Sequence, residues 1–172
     1  MKPAVAPFTL KECELYSKER GLKLSRYQIL NLYMVMGGVA LYWSLLDKQY
    51  SAVQNIDQLF FNKDAKLQGE FNDLYDSLFK HPEAYKSIVV TLGKHLSGLT
   101  RQELLKYTAQ ADNGVFSDRL EELEECGFIM KMRAFPKSKK EAIYKLCDNY
   151  TIFYFKYIKS NAGIKDFWTK NF

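Results

Sequence analysis

The stretch from Thr100 to Tyr144 constrains this chain most, because its punctuation allows few arrangements of helix and strand. Thr100-Arg101-Gln102-Glu103 is a capping box. In such a box the threonine hydroxyl accepts the Glu103 amide, and the Glu103 carboxylate accepts the Thr100 amide in return. A short helix to about Thr108 follows. Ala111-Asp112-Asn113-Gly114 interrupts it with turn chemistry. A second helix, about Val115 to Cys126, carries Phe116, Leu120 and Leu123 on one face and stops at Gly127. Phe128 to Met132 then reads as a strand, Pro136 to Lys140 as a charged loop, and Ala142 to Leu146 as the returning strand. A short third strand is expected near Leu99. Helix, turn, helix and hairpin in this order predict a winged helix-turn-helix, a module that often docks on DNA.

The remainder predicts a mainly α chain: an N-terminal helical, lid-like bundle over residues 1–79, the winged module over 80–160 and a tail over 161–172. Thr9-Leu10-Lys11-Glu12 and Ser25-Arg26-Tyr27-Gln28 are capping boxes for helices of about 10–20 and 26–36. The second carries Ile29, Leu32, Tyr33 and Met36 at helical spacing. Leu30, Met34 and Val35 fill its other sides, which predicts burial on most faces. Gly37-Gly38 divides it from a short apolar helix, Val39 to Leu46. Ser51 caps a fourth helix, and Leu67, Phe71, Leu74, Tyr75 and Leu78 line a fifth. His81-Pro82 marks the boundary, with Pro82 suited to the first position of a helix lined by Tyr85, Ile88, Val89 and Leu92.

Tyr27 to Leu46 is uncharged for 20 residues, long enough to span a bilayer. Gln28, Asn31, Ser44 and the glycine pair favour two buried helices, so no membrane segment is expected. Cys13, Cys126 and Cys147 show no pairing or metal-ligand spacing, and the start of the chain has no apolar leader core. Both observations favour free thiols in a cytoplasmic protein.

Motifs for catalysis are missing from the sequence. There is no phosphate-binding GxxxxGK[ST], no HExxH and no GxSxG. His81 reads as a residue preceding a helix and His95 as a solvent-exposed one, and neither has a nucleophile or carboxylate constellation beside it. No catalytic residue, metal site or cofactor of its own is therefore assigned. The 12 Phe and 12 Tyr indicate a ring-rich core or a covered interface, and the net charge of +5 is mild.

DNA recognition turns on the second winged-module helix. Its exposed positions are Ser117, Asp118, Arg119, Glu121, Glu122, Glu124 and Glu125, five acidic and one basic. A helix in the major groove faces one phosphate charge per ~1.7 Å of duplex axis, which repels such a face. Arg119 and the loop lysines Lys137, Lys139 and Lys140 are the nucleic-acid candidates, and the lysines support only sequence-independent phosphate contact.

Several runs also carry a resemblance. Pro7-Phe8-Thr9-Leu10-Lys11-Glu12, Leu30 to Val39 with its Gly37-Gly38 pair, Leu45-Leu46-Asp47-Lys48, Gly98 to Glu103 and Leu120 to Ile129 together resemble the region after the nucleotide-binding core of archaeal-type AAA ATPases, relatives of the STAND-like P-loop ATPases. The resemblance spans nearly the whole chain and rests on the order and spacing of motifs that are each weak. It implies a C-terminal fragment, a helical lid plus winged helix, whose parent supplies the P-loop and binds ATP and Mg. It implies that Gly37 and Gly38 lie near nucleotide, although the family's Gly-x-Pro proline position is Ala40 here. The implied partners are the parent's ATPase core and a further protein. The competing reading is a free-standing winged-helix transcriptional regulator with an N-terminal dimerisation bundle.

Overall fold

The computed structural model describes residues 6–133 and 142–172. These residues are mainly helical, with one three-stranded antiparallel sheet. In chain order the elements are α1 (Leu10–Glu19), α2 (Arg26–Met36), α3 (Ala40–Ser44), α4 (Ala52–Ile56), α5 (Glu70–Leu78), α6 (Pro82–Lys94), β1 (Leu99–Thr100), α7 (Arg101–Thr108), α8 (Gly114–Glu125), β2 (Ile129–Met132), β3 (Ile143–Leu146), α9 (Asn149–Phe153), α10 (Lys159–Asn161) and α11 (Phe167–Asn171). Two π-helical turns extend helices: Asp57–Phe61 continues α4, and Tyr154–Ile158 joins α9 to α10. The chain forms two compact units, Met1–Gly69 with Lys156–Phe172, and Glu70–Phe155.

The first unit is nucleated by three capping boxes. Thr9 with Glu12, Ser25 with Gln28 and Ser51 with Gln54 each exchange the two side chain–backbone hydrogen bonds that start a helix. Its core holds Leu32, Met36, Trp43, Ile56, Phe60 and Phe61, all at or below 1 % exposure. Asn55 organises the turn before α4. Its side-chain oxygen accepts the Asp47 amide at 2.8 Å, and its amide nitrogen donates to the Asp47, Tyr50 and Ser51 carbonyls.

Three expectations for this region need correction. Helix α2 keeps an open side: Tyr27, Leu30 and Met34, at i, i+3 and i+7, are exposed. Hydrophobic spacing alone could not separate a half-buried helix from a fully buried one. The fifth helix begins only at Glu70. Leu67 is buried, but from the preceding loop, where its amide donates to the Leu59 carbonyl at 2.8 Å. Leu78, expected in the core face, is half exposed. α5 groups with the second unit, and the tail groups with the first.

In the second unit the sheet order is β1-β3-β2, with Leu99 opposite Tyr144 and Ile129 opposite Leu146. The third strand near Leu99 is present, as the sequence predicts. Alternate side chains then sort by face: Ile129, Tyr144 and Leu146 are buried, while Met130, Met132 and Ile143 are exposed. The core is ring-rich. Phe128 lies 4.8 Å from Tyr75, Phe79 stacks on Tyr85 at 4.0 Å, and Phe71 stacks on Tyr154 at 4.3 Å. Offset or tilted ring pairs of this kind contribute about 0.5–1.5 kcal/mol each beyond area burial. Asp148 caps α9 by accepting the Thr151 amide at 2.7 Å. Its burial raises its pKa, with the Thr151 hydrogen bonds opposing the rise.

Candidate functional site

The outer face of α8 is exposed and predominantly acidic, and the preceding turn aims it. Thr100 and Glu103 form the capping box that starts α7. Ala109 closes that helix in the left-handed region, φ 53°, an uncommon conformation for a residue with a Cβ. Asn113 caps α8 by accepting the Phe116 amide at 3.1 Å. Arg101 ties the two helices together. Its guanidinium pairs with Asp112, donates to the Asn113 carbonyl and the Ser117 hydroxyl at 3.3 Å each, and sits 5.2 Å from the Phe116 ring centre. Planar guanidinium supplies several donors in a fixed fork, which a lysine could not match here.

Phe116, Leu120 and Leu123 bury the inner face of α8, as their spacing predicts. The outer face exposes Ser117, Asp118, Glu121, Glu122, Glu124 and Glu125. Two of its carboxylates have neighbours. Glu122 accepts the Tyr85 hydroxyl, and Glu124 accepts the Lys131 backbone amide at 3.1 Å. Burial first, and then the Glu122 hydrogen bond and charge, push the Tyr85 hydroxyl up to about 12. Glu121 and Glu124 stand on the rim of an open groove of about 410 Å³, with Leu120 and Tyr144 also lining it. Lys131 borders the groove too, and its ammonium lies 5.6 Å from the Tyr144 ring centre.

Arg119, the one base expected on this face, is only partly exposed. Its guanidinium donates to the Gln110 side-chain oxygen at 2.7 Å, and the Gln110 amide donates onward to the Ala84 carbonyl at 2.9 Å. The side chain thus belongs to a bridge running from α8 to α6. Lys137, Lys139 and Lys140 lie outside the described residues.

Gly37 and Gly38 end α2 at a tight crossing. Gly37 has φ 62°, a region glycine enters freely. Its carbonyl accepts the Trp43 indole N–H at 2.8 Å, and the Gly38 carbonyl accepts the Phe8 amide at 2.7 Å. A Cβ at Gly38 would meet the Phe8 carbonyl oxygen at 1.9 Å. The two carbonyls serve the chain's own closure, and no step involving nucleotide follows from them.

The remaining candidates are quieter. His95 is half buried and stacks on Tyr107 at 5.0 Å, which corrects the expectation of a solvent-exposed ring; His81 is exposed. The three cysteines are free thiols, and burial raises the pKa of each, Cys13 to about 11. Raised thiols are poor nucleophiles and weak metal ligands at neutral pH. Among the described residues no group of three His, Cys, Asp or Glu side chains could hold a metal ion, and no helix is long and apolar enough to cross a membrane.

Sequence reasoning missed Arg101, Gln110 and Tyr85 as organisers of this surface. The Arg101–Asp112 pair spans a turn rather than a helical repeat, so spacing could not reveal it. Comparison with known protein families, with curated proteins and with solved structures finds no match to this chain.

Proposed function

We propose that this chain is a non-catalytic interaction and regulatory region, a lid-like helical part followed by a winged-helix module, of a larger AAA-type, STAND-like ATPase. On this reading the module faces a protein rather than reading DNA. ATP and Mg would belong to the parent's P-loop core, and that core is the first partner implied. The order helix, turn, helix, hairpin with a short third strand supports the winged-helix reading.

The observation that carries the choice of partner is the exposed face of α8. It presents five carboxylates, while Arg119 is tied to Gln110. Duplex DNA would set phosphate charge against all five. An acidic side chain reads cytosine only singly and in a defined register. Any contact from Lys137, Lys139 and Lys140 would be independent of sequence, with a log–log salt slope of about −2.7 for three phosphates and affinity no better than ~10⁻⁴–10⁻⁶ M at physiological salt.

A competition assay of the full chain against a random duplex library at physiological salt tests this reading. Flat enrichment is expected. Enrichment of one motif at nanomolar affinity, lost in Arg119→Ala, would overturn it in favour of a free-standing transcriptional regulator.

A further inference from the structure

We propose that residues 162–172 form a strap that docks on and releases from the first unit as one piece, on a seat built by the π turn Asp57–Phe61. Asp57 is 1 % exposed, and no ion pair to a described Lys or Arg accompanies it. A carboxylate buried in this way must be satisfied by hydrogen bonds. The donors to it come from the strap. The Trp168 amide donates to Oδ1 at 2.7 Å, and the Thr169 amide and hydroxyl donate to Oδ2 at 2.9 and 2.6 Å. The Asn62 amide donates to the Asp57 carbonyl at 2.9 Å and closes the π turn. The Asn62 side-chain oxygen then accepts the Asp166 amide at 2.9 Å. Two acceptors one π turn apart therefore meet three strap amides and a hydroxyl. π turns are rare and occur frequently at functional positions.

Rings complete the seat. Phe61 lies 4.9 Å from Phe167 and 6.0 Å from Trp168, and Tyr157 lies 5.2 Å from Trp168 and 5.6 Å from Phe172. The strap itself is superficial. α11 has no buried residue, and Phe172 is 68 % exposed. Its entry holds two left-handed residues, Gly163 at φ 82° and Asp166 at φ 55°. A short element with few buried contacts belongs to the low-stability end of a protein's opening spectrum. The chemistry also makes opening feasible. The strap supplies the donors that cover Asp57, so its departure admits water to the carboxylate and no bare charge is left in an apolar interior. Because the donors of residues 166–169 share adjoining acceptors, they are lost together. The released seat presents the Asp57 carboxylate together with the Phe61 and Tyr157 rings that had faced Trp168.

Amide hydrogen exchange on the full chain tests the strap. The Trp168 and Thr169 amides are expected to exchange with a common opening equilibrium at least ~100-fold more populated than that of Leu32 in the core, since local opening costs less than global unfolding. Thr169→Val removes one donor from an exposed position. It should speed exchange at Trp168 by roughly tenfold, the effect of one hydrogen bond to a charged group, and leave Leu32 unchanged. Asp57→Asn should do the same or more, and Thr169→Val serves alone if that variant does not fold. The proposal fails if the wild-type Trp168 and Thr169 amides exchange as slowly as Leu32. It fails equally if Thr169→Val leaves Trp168 unchanged or accelerates Leu32 by the same factor.

Discussion

The glycine pair that ends α2 and the outer face of α8 both invite a ligand on paper, yet the structure treats them in opposite ways. At Gly37-Gly38 the chain fills the space itself: the Phe8 amide and the Trp43 indole take the two carbonyls, and the Phe8 backbone sits where a Cβ would go. On α8 the helix leaves its carboxylates facing outward and draws its one base inward to Gln110. A residue type that suggests recognition thus says little until the occupants of its polar atoms are known. Glycines near a turn are spent on closure, whereas an acidic face with few internal partners keeps its charge at the surface.

Substitutions should separate the two regions by size of effect. Gly38→Ala is expected to be the most damaging, because a Cβ 1.9 Å from a backbone oxygen cannot be relieved by turning a side chain. A loss above about 3 kcal/mol is expected, in the range reserved for overpacked or strained sites. Denaturant unfolding measures it, and a near-neutral result would mean that the crossing of Phe8 over Gly38 is slack. Arg119→Ala should cost about 1 kcal/mol, one partly exposed charged hydrogen bond. The same experiment reads it. No loss of stability would detach Arg119 from the bridge and return it to the recognition surface.

The smallest effect concerns acid. Glu12 and Glu103 are exposed, yet hydrogen bonds to the backbone and hydroxyl of Thr9 and Thr100 lower their pKa values below the ordinary 4.5. The folded-state values are depressed, so their contribution is present above pH 4.5 and is lost as pH falls through the folded values. Thermal midpoints should drop modestly below pH 4.5. In the Glu12→Gln, Glu103→Gln double variant the part of that drop due to the boxes should vanish, and an unchanged pH profile would remove these carboxylates from the account.

Local chemistry was legible in the sequence. The capping boxes at Thr9, Ser25 and Thr100 and the stop of α8 before Gly127 involve groups within four residues of one another, so spacing reveals them. Pro82 likewise stands in the first position of its helix. What escaped depends on partners that sequence distance hides. The π turn at Asp57–Phe61 keeps the apolar pattern of a helix, so periodicity passes over the inserted residue. The donors to Asp57 lie 111 and 112 positions away. The exposure of Leu30 and Met34 depends on which neighbours reach α2, and amphipathicity does not record that. At the α8 surface the sign of the charge was readable in advance, whereas the capture of Arg119 by Gln110 required the turn geometry.

The hydrogen bond from the Lys131 amide to Glu124 has a consequence for the hairpin. β2 is an outer strand, and the open edge of a sheet is a template on which another chain can add a strand. Its exposed Met130 and Met132 would make such an addition sticky. Glu124 occupies one of the few edge donors of a four-residue strand, and it brings a negative charge to the position an incoming backbone carbonyl would need. The carboxylate therefore works as an end-stop against ribbon growth between copies of this chain.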